Sequence, residues 1–403
     1  MKYRKFKNFE ILSRVTLAYL SILFFVLLSC QKKETDNTQA LMLLYCIQEV
    51  RNYVDTNPNF VRVNDNGSIY AGIFRPAPIS SNVGPNDVTL AYSENGESFE
   101  NRSNQLTGLI GGAVSYSFAS NSLIYSVLGD WTVSNSNDGG KTWAKIYVDT
   151  TPQSFTSLVS GGFSYININA DGKGGKFPIS SSSSTRKYYD YTEDGGKSWT
   201  RVNSDLLGNQ TITNISFKPN GDYFFRSVSW SSNASGSTAN VLLANRTELT
   251  KIQDLMEGTN SSVSNFRFIS NSIGYVINKN KLWKTVNGGT NWQAVTTTFT
   301  SDLRSFEFET EQKGWMIGGI NGLQFFETSD GGSTWTQISL PFSLSSNSTL
   351  SSNAGKIAIL SDKNIYTSKN LFQTYTVGNA GLKVLTTMGT NASQNPACIP
   401  FSL

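Results

Sequence analysis

The chain has 403 residues, more than a single undivided core usually supports, so its length predicts several domains or a repeat architecture. It contains no histidine, which excludes Ser-His and Cys-His nucleophilic catalysis and histidine-ligated metal sites. The formal charge of +4 comes from the first 29 residues, because the remainder has equal numbers of acidic and basic side chains. This balance gives no electrostatic support for a nucleic-acid partner.

The first 29 residues have the layout of a lipoprotein signal peptide. A basic stretch precedes the apolar run VTLAYLSILFFVLLS, which is too short for a transmembrane helix with flanking anchors. The run ends in LLSC, which resembles a bacterial lipobox, so Cys30 is the predicted lipidation site and residues 30–39 a polar tether. An ordinary signal peptide that happens to contain a cysteine is the alternative. The predicted location is the bacterial cell envelope, at the outer membrane or the cell surface.

Residues 40–57 are predicted to form a short helix before the main body of the protein. Leu43, Ile47, Val50 and Val54 recur there at helical spacing.

Two further cysteines stand near opposite ends of the sequence, Cys46 in the predicted helix and Cys398 in the C-terminal tail over residues 380–403. An even pair in an oxidising compartment predicts a disulfide. Such a bridge would close a loop of roughly 350 residues and stabilise the fold by about 4–5 kcal/mol in the chain-entropy account. Two free buried thiols are the alternative.

One eight-residue phrase recurs along the sequence. It reads SNDGGKTW at 136–143, TEDGGKSW at 192–199 and TSDGGSTW at 328–335, while TVNGGTNW at 285–292 has asparagine in place of aspartate. Weaker copies end at Phe99 and Tyr375, and a nearly erased copy reaches Leu249. The last residues of successive copies lie 40 to 56 residues apart, a period that predicts propeller blades in a protein rich in strands.

Each repeat unit reads as four strands joined by tight turns. In one unit the strands are RSFEFE, GWMIGG, LQFFETS and TWTQISL, and alternation with Gly and Asn turns marks each hairpin. Seven such units predict an all-β fold, a seven-bladed β-propeller over residues 58–379.

The repeated phrase also has a physical rationale. Its aspartate can accept backbone N–H bonds across a tight turn, its glycines can take positive φ angles, and its tryptophan can pack against the blade. The residues with this predicted structural role are Ser136, Asp138, Trp143, Asp194, Trp199, Asn287, Trp292, Asp330 and Trp335.

On these phrases the protein resembles the Asp-box (BNR) repeat superfamily. That superfamily includes sialidases, the sortilin luminal domain, some xyloglucan-active glycoside hydrolases and the photosystem II assembly-factor family. The resemblance covers about 320 residues and implies a propeller with its boxes on the rim, away from an active site. Box repeats alone do not select one of these relatives. The sequence shows no arginine-rich channel of the kind expected for the partner-binding role of an assembly factor.

Three segments are predicted to be long loops between the second and third strands of their units, all on one face of the ring. They are residues 75–87, 171–186 and 230–240. Long loops on a rigid scaffold commonly carry binding residues, although tolerated insertions are the alternative. Within or beside these loops, the predicted stacking surfaces for a sugar or a peptide are Phe177, Tyr188 and Trp230.

A sialidase-like glycoside hydrolase is the competing prediction. Sialidases carry a Phe/Tyr-Arg-Ile-Pro motif, and FRPAP at 74–78 keeps its Phe-Arg but has Pro76 where isoleucine belongs. Sialidases also bind the substrate carboxylate with three arginines, and the candidates here are Arg75, Arg226, Arg267 and Arg304. No Tyr–Glu pair can be assigned as nucleophile and base. Asp87 and Asp130 are candidate acids only because they are predicted to lie on the same face of the ring as the long loops.

No cofactor and no metal are predicted, since DGKGGK at 171–176 has neither the spacing of a phosphate loop nor that of a calcium loop. The leading hypothesis is a lipid-anchored, non-catalytic binding or scaffold propeller for a glycan or protein ligand. The alternative is a glycosidase acting on an acidic sugar.

Overall fold

The structure is a computed structural model of the protein. It describes residues 52–55, 58–73, 89–103, 106, 114–128, 132–147, 163–179, 188–203, 210–218, 223–229, 238–244, 249–254, 266–278, 281–295, 303–319 and 322–386. All regular secondary structure in these residues is β, and none of them forms a helix long and apolar enough to cross a membrane. The predictions for Cys30, Cys46, Cys398 and Arg75 lie outside the described residues.

The described strands form seven four-stranded antiparallel sheets, here called blades 1 to 7, each built from consecutive strands. Blade 1 has β2 (Phe60–Val63), β3 (Ile69–Gly72), β4 (Leu90–Ser93) and β5 (Glu100–Asn101). Blade 2 has β6 (Val114–Phe118), β7 (Ile124–Leu128), β8 (Val133–Ser136) and β9 (Ala144–Tyr147). Blade 3 has β10 (Phe163–Ile168), β11 (Gly174–Ile179), β12 (Tyr188–Thr192) and β13 (Thr200–Asn203).

The remaining four blades follow the same order. Blade 4 has β14 (Gln210–Phe217), β15 (Tyr223–Ser229), β16 (Thr238–Ala244) and β17 (Leu249–Asp254). Blade 5 has β18 (Phe266–Phe268), β19 (Gly274–Asn278), β20 (Lys281–Thr285) and β21 (Gln293–Val295). Blade 6 has β22 (Ser305–Phe308), β23 (Gly314–Gly318), β24 (Gln324–Thr328) and β25 (Thr336–Ile338). Blade 7 has β26 (Thr349–Asn353), β27 (Lys356–Ser361), β28 (Asn364–Ser368) and β29 (Thr376–Asn379).

Side chains are described in six of these blades, whereas blade 4 is described by its strands alone. The all-β propeller prediction is confirmed.

One predicted element is wrong in its described part. Residues 52–55 of the predicted helix form β1 (Asn52–Asp55), which pairs with β30 (Lys383–Thr386) in a separate two-stranded sheet. A strand obtains its hydrogen bonds from a partner that can be distant in sequence, so the helical spacing of Val54 does not decide its structure. Residues 40–51 lie outside the described part.

The first strands of the blades lie together around the central axis. β2 contacts β26, β6 contacts β10, β14 contacts β18, and β22 contacts β26. A first strand is the edge of its sheet and would otherwise expose unpaired amides. Serine hydroxyls of the adjacent blade accept some of them: Ser351 from Val63 N–H at 3.0 Å, Ser305 from Leu350 N–H at 3.2 Å and Ser117 from Ile168 N–H at 2.9 Å. These serines connect blades 7 to 1, 6 to 7 and 2 to 3.

Blades 7 and 1 close the ring through a shared apolar core and cross-blade hydrogen bonds. Asn353 Nδ2 donates to Asp65 Oδ1 at 2.7 Å, and Lys356 Nζ donates to the Gly67 carbonyl at 2.5 Å. The buried residues of this interface are Val61, Val63, Ile69, Ala71, Ile73, Ala91, Ala358, Leu360, Ile365, Ala380 and Leu382.

The repeated phrase forms the turn between the third and fourth strands of a blade, here called the box turn. In blade 2, Ser136 Oγ donates to Asp138 Oδ1 at 2.8 Å and accepts from Gly140 N–H at 2.7 Å. Thr142 donates to Asp138 from its N–H at 2.9 Å and from its hydroxyl at 2.6 Å. Gly139 and Gly140 have φ angles of 70° and 85°, which favour glycine. The same pattern of hydrogen bonds is centred on Asp194 and Asp330. Asn287 keeps the bonds from the Thr285 hydroxyl and the Asn291 N–H.

Box turns are also fixed to their surroundings by aromatic side chains. The indole N–H groups of Trp143, Trp199, Trp292 and Trp335 donate to the second glycine carbonyl of their own turns at 3.0 or 3.1 Å. A tyrosine from the second strand of the preceding blade donates to the first glycine carbonyl. Tyr70 donates to Gly139 and Tyr275 to Gly331, each at 2.8 Å. In these two pairs of blades, the turn therefore links neighbouring sheets.

Candidate functional site

The segment predicted as the longest binding loop is partly a strand. β11 (Gly174–Ile179) lies within residues 171–186 and pairs with β10, and the Cα of Gly174 lies opposite that of Ile168. A Cβ atom on Gly174 would lie 2.1 Å from the Asn167 carbonyl, so this glycine permits a close approach of strands and does not mark a loop. Lys176 on this strand is fully buried, with its Nζ 3.6 Å from Asp190 Oδ2. The loop prediction for 171–186 is therefore wrong over residues 174–179.

The three predicted stacking residues are not brought together as a described site. Phe177 lies on β11 and Tyr188 begins β12, so both are strand residues and not loop residues. Trp230 is outside the described part, as are residues 75–87 and both candidate acids, Asp87 and Asp130. The predicted loop over 230–240 ends earlier than expected, because β16 begins at Thr238.

The three predicted arginines that the structure describes lie in different blades. Arg226 is on the second strand of blade 4, with its Cα opposite that of Asn214. Arg304 immediately precedes β22, where its N–H donates to the Ile317 carbonyl at 2.9 Å. Arg267 is on β18, a first strand next to the central axis. Of these three arginines, Arg267 belongs to a cluster of charged groups.

The first hairpins of five blades share one backbone hydrogen bond, and this bond aligns their residues with one another. In each, the N–H of the residue after the first strand donates to the carbonyl four residues later, as in Asn64 to Ser68 and Ile269 to Ile273. The residue two positions before this N–H is then equivalent in all five. These equivalent residues are Arg62, Ser117, Asn167, Arg267 and Glu307 in blades 1, 2, 3, 5 and 6.

All five residues at this level are polar, although the first strands are largely apolar on either side of them. Phe266 and Phe268 flank Arg267, and Phe306 and Phe308 flank Glu307, with all four buried. Ser117 Oγ donates to Asn167 Oδ1 at 3.1 Å, which shows that equivalent residues of adjacent blades meet. We call Arg62, Ser117, Asn167, Arg267 and Glu307 the polar ring.

The charged members of the polar ring interact with each other. Arg267 Nη1 forms an ion pair with Glu307 Oε1. Glu307 is buried, whereas 40% of the Arg267 side chain is exposed, so Arg267 is the accessible partner of the pair. The Arg62 guanidinium lies 5.3 Å from the centre of the Phe118 ring, and its buried Nε has no hydrogen-bond partner among the residues that the structure describes.

Burial and like charge act on the two arginines. Burial lowers the pKa of Arg62, and the negative charge of Asp65 opposes this. Burial lowers the pKa of Arg267 to about 10, and the positive charge of Arg62 lowers it further.

The polar ring adds to what the sequence predicts. The absence of an arginine-rich channel stays a prediction, and two arginines, Arg62 and Arg267, lie on first strands. Sequence reasoning missed Arg62 and Glu307. The signal that could have found them is a charged residue between two apolar residues in the first strand, as in VRV, FRF and FEF.

Comparisons with known proteins agree with this architecture. A protein-family model described as "Photosynthesis system II assembly factor YCF48" matches residues 244–381, which is about a third of the sequence. No curated protein sequence matches this one.

Three solved structures illustrate the likeness in fold. YCF48 bound to a D1 peptide is 17% identical, with a TM-score of 0.49 over 78% of this protein and 94% of that one. YCF48 from Cyanidioschyzon merolae is 14% identical, with a TM-score of 0.47 over 77% and 96%. A puromycin hydrolase is 11% identical, with a TM-score of 0.53 over 81% of this protein and 53% of the hydrolase. The family match and the fold support a β-propeller of the BNR-repeat type.

Proposed function

We propose that this protein is a non-catalytic binding propeller that holds a protein partner at its central channel. The observation that carries the proposal is the polar ring, in which Arg62 and Arg267 outnumber the single acid Glu307. Binding of charged groups by arginine guanidinium groups is a recurrent mode of protein recognition.

Hydrolysis of a glycosidic bond is less well supported by this site. Most glycoside hydrolases need a protonated carboxylic acid together with a second carboxylate, and sialidases use a Tyr nucleophile with an acid. Glu307 is the sole acid in the sequences of the seven first strands. Its ion pair with Arg267 favours the ionised form, which cannot donate a proton. A sialidase-like hydrolase remains the alternative, with Arg75 and Arg226 still candidates.

A protein ligand is favoured over a glycan by the region that the family model matches. Residues 244–381 include Arg267 and Glu307. The model describes an assembly factor, and an assembly factor acts on protein partners. This is support for the class of ligand only, and the proposal names no particular partner.

The proposal includes a lipid anchor at Cys30 that holds the propeller at the cell envelope. It is motivated by the basic stretch, the apolar run and LLSC at the start of the sequence. The test is mass spectrometry of the mature N-terminus, together with fractionation of Cys30→Ala cells. We expect an acylated Cys30 in membranes and a shift of Cys30→Ala out of them; an unmodified protein in the soluble fraction would refute the anchor.

Photo-cross-linking in cells tests the binding function. Asn59 is exposed at the start of β2, three residues before Arg62, and is the site for a benzoylphenylalanine probe. Lys145 is exposed on the outermost strand of blade 2 and serves as the matched control site. We expect a discrete protein adduct from position 59 and none from position 145. An equal pattern at both positions would contradict a partner at the channel.

A panel of fluorogenic glycosides, sialosides included, tests the alternative with the purified protein. No turnover above an unfolded control is expected. Turnover that is lost on Arg75→Ala, with folding retained, would replace the binding proposal by the hydrolase.

A further inference from the structure

We infer that the outer edge of blade 7 is a docking site for an extended segment of a partner protein, which adds a strand beside β29. The site goes beyond the proposed function, because it lies on the outermost strand of a blade and not on the first strands that line the channel. Its side chains are Phe342, Tyr366, Tyr375 and Val377, here called the edge surface. Phe342 stacks on Tyr366 with ring centroids 3.7 Å apart, and its ring centroid lies 5.7 Å from that of Tyr375. The Cα of Val377 lies opposite that of Tyr366.

Tyr375 ends a box turn that differs from the others. The second glycine position of this turn is occupied by Phe372, which is buried and packs against Phe325 and Phe342 between blades 6 and 7. In blades 2, 3, 5 and 6 the last residue of the box is a tryptophan, whose indole N–H donates to a carbonyl of the turn. Tyr375 has no indole N–H, and 40% of it is exposed. The box residue of blade 7 is therefore presented on the surface beside Tyr366, with ring centroids 6.0 Å apart.

Val377 departs from the pattern of the outer strands. Three large apolar side chains are exposed in the described part of the protein, and two of them are Tyr375 and Val377, the latter at 46%. Val377 stands two positions after the last box residue, and the equivalent positions of the other blades carry Asn101, Lys145, Arg201, Lys251, Ala294 and Gln337. Charged side chains on an edge strand commonly prevent its pairing with another chain, whereas an exposed apolar edge is a template for such pairing. β29 has no charged residue.

β29 is covered on one face and open on the other. Toward blade 1, a Cβ atom on Gly378 would lie 2.2 Å from the Gly96 carbonyl, so the box turn of blade 1 covers that face. Because successive side chains of a strand point to opposite faces, Tyr375 and Val377 both lie on the open face. β29 is also the last strand of its sheet, and no further strand pairs with it among the described strands. The N–H and C=O groups on the outer side of such a strand can pair with an extended peptide.

The charge around the edge surface indicates the chemistry of the partner. Residues 363–379 contain two lysines and no acidic residue. The lysines are Lys363, directly before β28, and Lys369, directly after it, and both are exposed. The equivalent segment of blade 6, residues 323–339, contains two acidic residues and no basic one. A segment with apolar residues at alternate positions and acidic residues at its ends would therefore complement blade 7. The available backbone groups select a polypeptide over a glycan or a lipid.

The test is fluorescence anisotropy of a labelled synthetic peptide with the purified protein at low ionic strength. The peptide alternates valine and threonine and has two aspartates at each end, and we expect it to bind saturably. A second peptide has the same side chains but is N-methylated along its central residues, so it cannot donate the backbone hydrogen bonds and should bind about tenfold more weakly. A third peptide, with lysines in place of the aspartates, should also bind more weakly, and added salt should reduce this difference.

Variants of the protein locate the site. Val377→Lys places on β29 the side chain that β9 and β17 already carry at the equivalent position, and should weaken binding about tenfold. Gln337→Lys makes the matched change on the outer strand of blade 6 and should leave binding unchanged. Tyr375→Ser should weaken binding, whereas Val286→Ser, at the third exposed apolar side chain, should not. Circular dichroism checks that each variant is folded, and Tyr375→Ser takes the place of Val377→Lys if the latter does not fold.

The inference would be overturned by a protein that does not bind the first peptide, or that binds the N-methylated peptide equally well. Binding that Val377→Lys or Tyr375→Ser leaves intact would also overturn it. A dimer in sedimentation that Val377→Lys dissociates, without peptide binding, would assign the edge surface to a second copy of this protein instead. The channel proposal is decided separately, by the adduct at position 59 in the protein with an unchanged edge surface.

Discussion

Two donors share one buried carbonyl where blade 5 meets the box turn of blade 6, and this arrangement predicts strong coupling between them. Tyr275 OH donates to the Gly331 carbonyl at 2.8 Å, and Lys284 Nζ donates to the same oxygen at 2.9 Å. Tyr275 is fully buried and stacks on Phe308, with ring centroids 4.1 Å apart. Tyr275→Phe therefore removes the hydroxyl and keeps the packing.

The expected magnitudes follow from what happens to the carbonyl. In Tyr275→Phe the oxygen still accepts from Lys284, so the loss is one ordinary hydrogen bond, about 0.5–1.5 kcal/mol. Lys284→Met leaves the Tyr275 bond and should cost about 1 kcal/mol. In the double variant the buried Gly331 carbonyl has neither donor, which adds the desolvation penalty of an unsatisfied group, about 1–3 kcal/mol. The double variant should thus be less stable than the sum of the two single changes.

Urea unfolding, followed by circular dichroism and tryptophan fluorescence, measures the four free energies of the cycle. The control pairs Tyr275→Phe with Lys145→Met on blade 2, which shares no partner with Tyr275 and should give additive effects. Additivity of Tyr275→Phe and Lys284→Met to within about 0.5 kcal/mol would refute the reasoning.

Three further predictions concern the blades and their turns. Hydrogen bonds from Thr334 and Thr328 hold the pKa of Asp330 at about 2, below its ordinary 3.8. The Asp330 carboxylate should contribute fully to the free energy of unfolding above about pH 4, and this contribution should be lost as the pH falls toward 2. In Asp330→Asn, the midpoint of urea unfolding should therefore change less with pH over that range. Leu360→Ala empties a fully buried position between blades 7 and 1 and should destabilise the fold by about 2–5 kcal/mol in urea unfolding; a loss below 1 kcal/mol would mean that the interface relaxes. Gly332→Ala forces a side chain into a φ of +87° and should cost about 1–2 kcal/mol, whereas no change in thermal midpoint would contradict this.

The repeat units could be predicted from the sequence because the information in them is local. The hydrogen bonds within the box turn of blade 2 join residues two to four positions apart, all between Ser136 and Trp143. The strands around the turn follow from alternation and turn residues. The same local pattern holds in blade 7 with Leu371 and Phe372 at φ angles of 54° and 65°, so this turn forms even without its glycines.

The parts that were missed depend on distant pairing. The bond from Val63 N–H to Ser351 joins residues 288 positions apart, and the pairing of β1 with β30 spans nearly the whole described sequence. Neither has a signature in a short window. The polar ring is of the same kind, because Arg267 and Glu307 meet only when blades 5 and 6 pack together. Before the blades are aligned, each is a single charged residue in an otherwise apolar strand.

Each four-stranded sheet is made from one uninterrupted stretch of sequence, and within the described strands no blade borrows a strand from another. A gene encoding such a protein could gain or lose one repeat by tandem duplication or deletion without cutting a sheet in two. The unequal spacing of the phrases and their uneven decay, from TSDGGSTW to NRTELTKI, are what independent drift of copied units would leave.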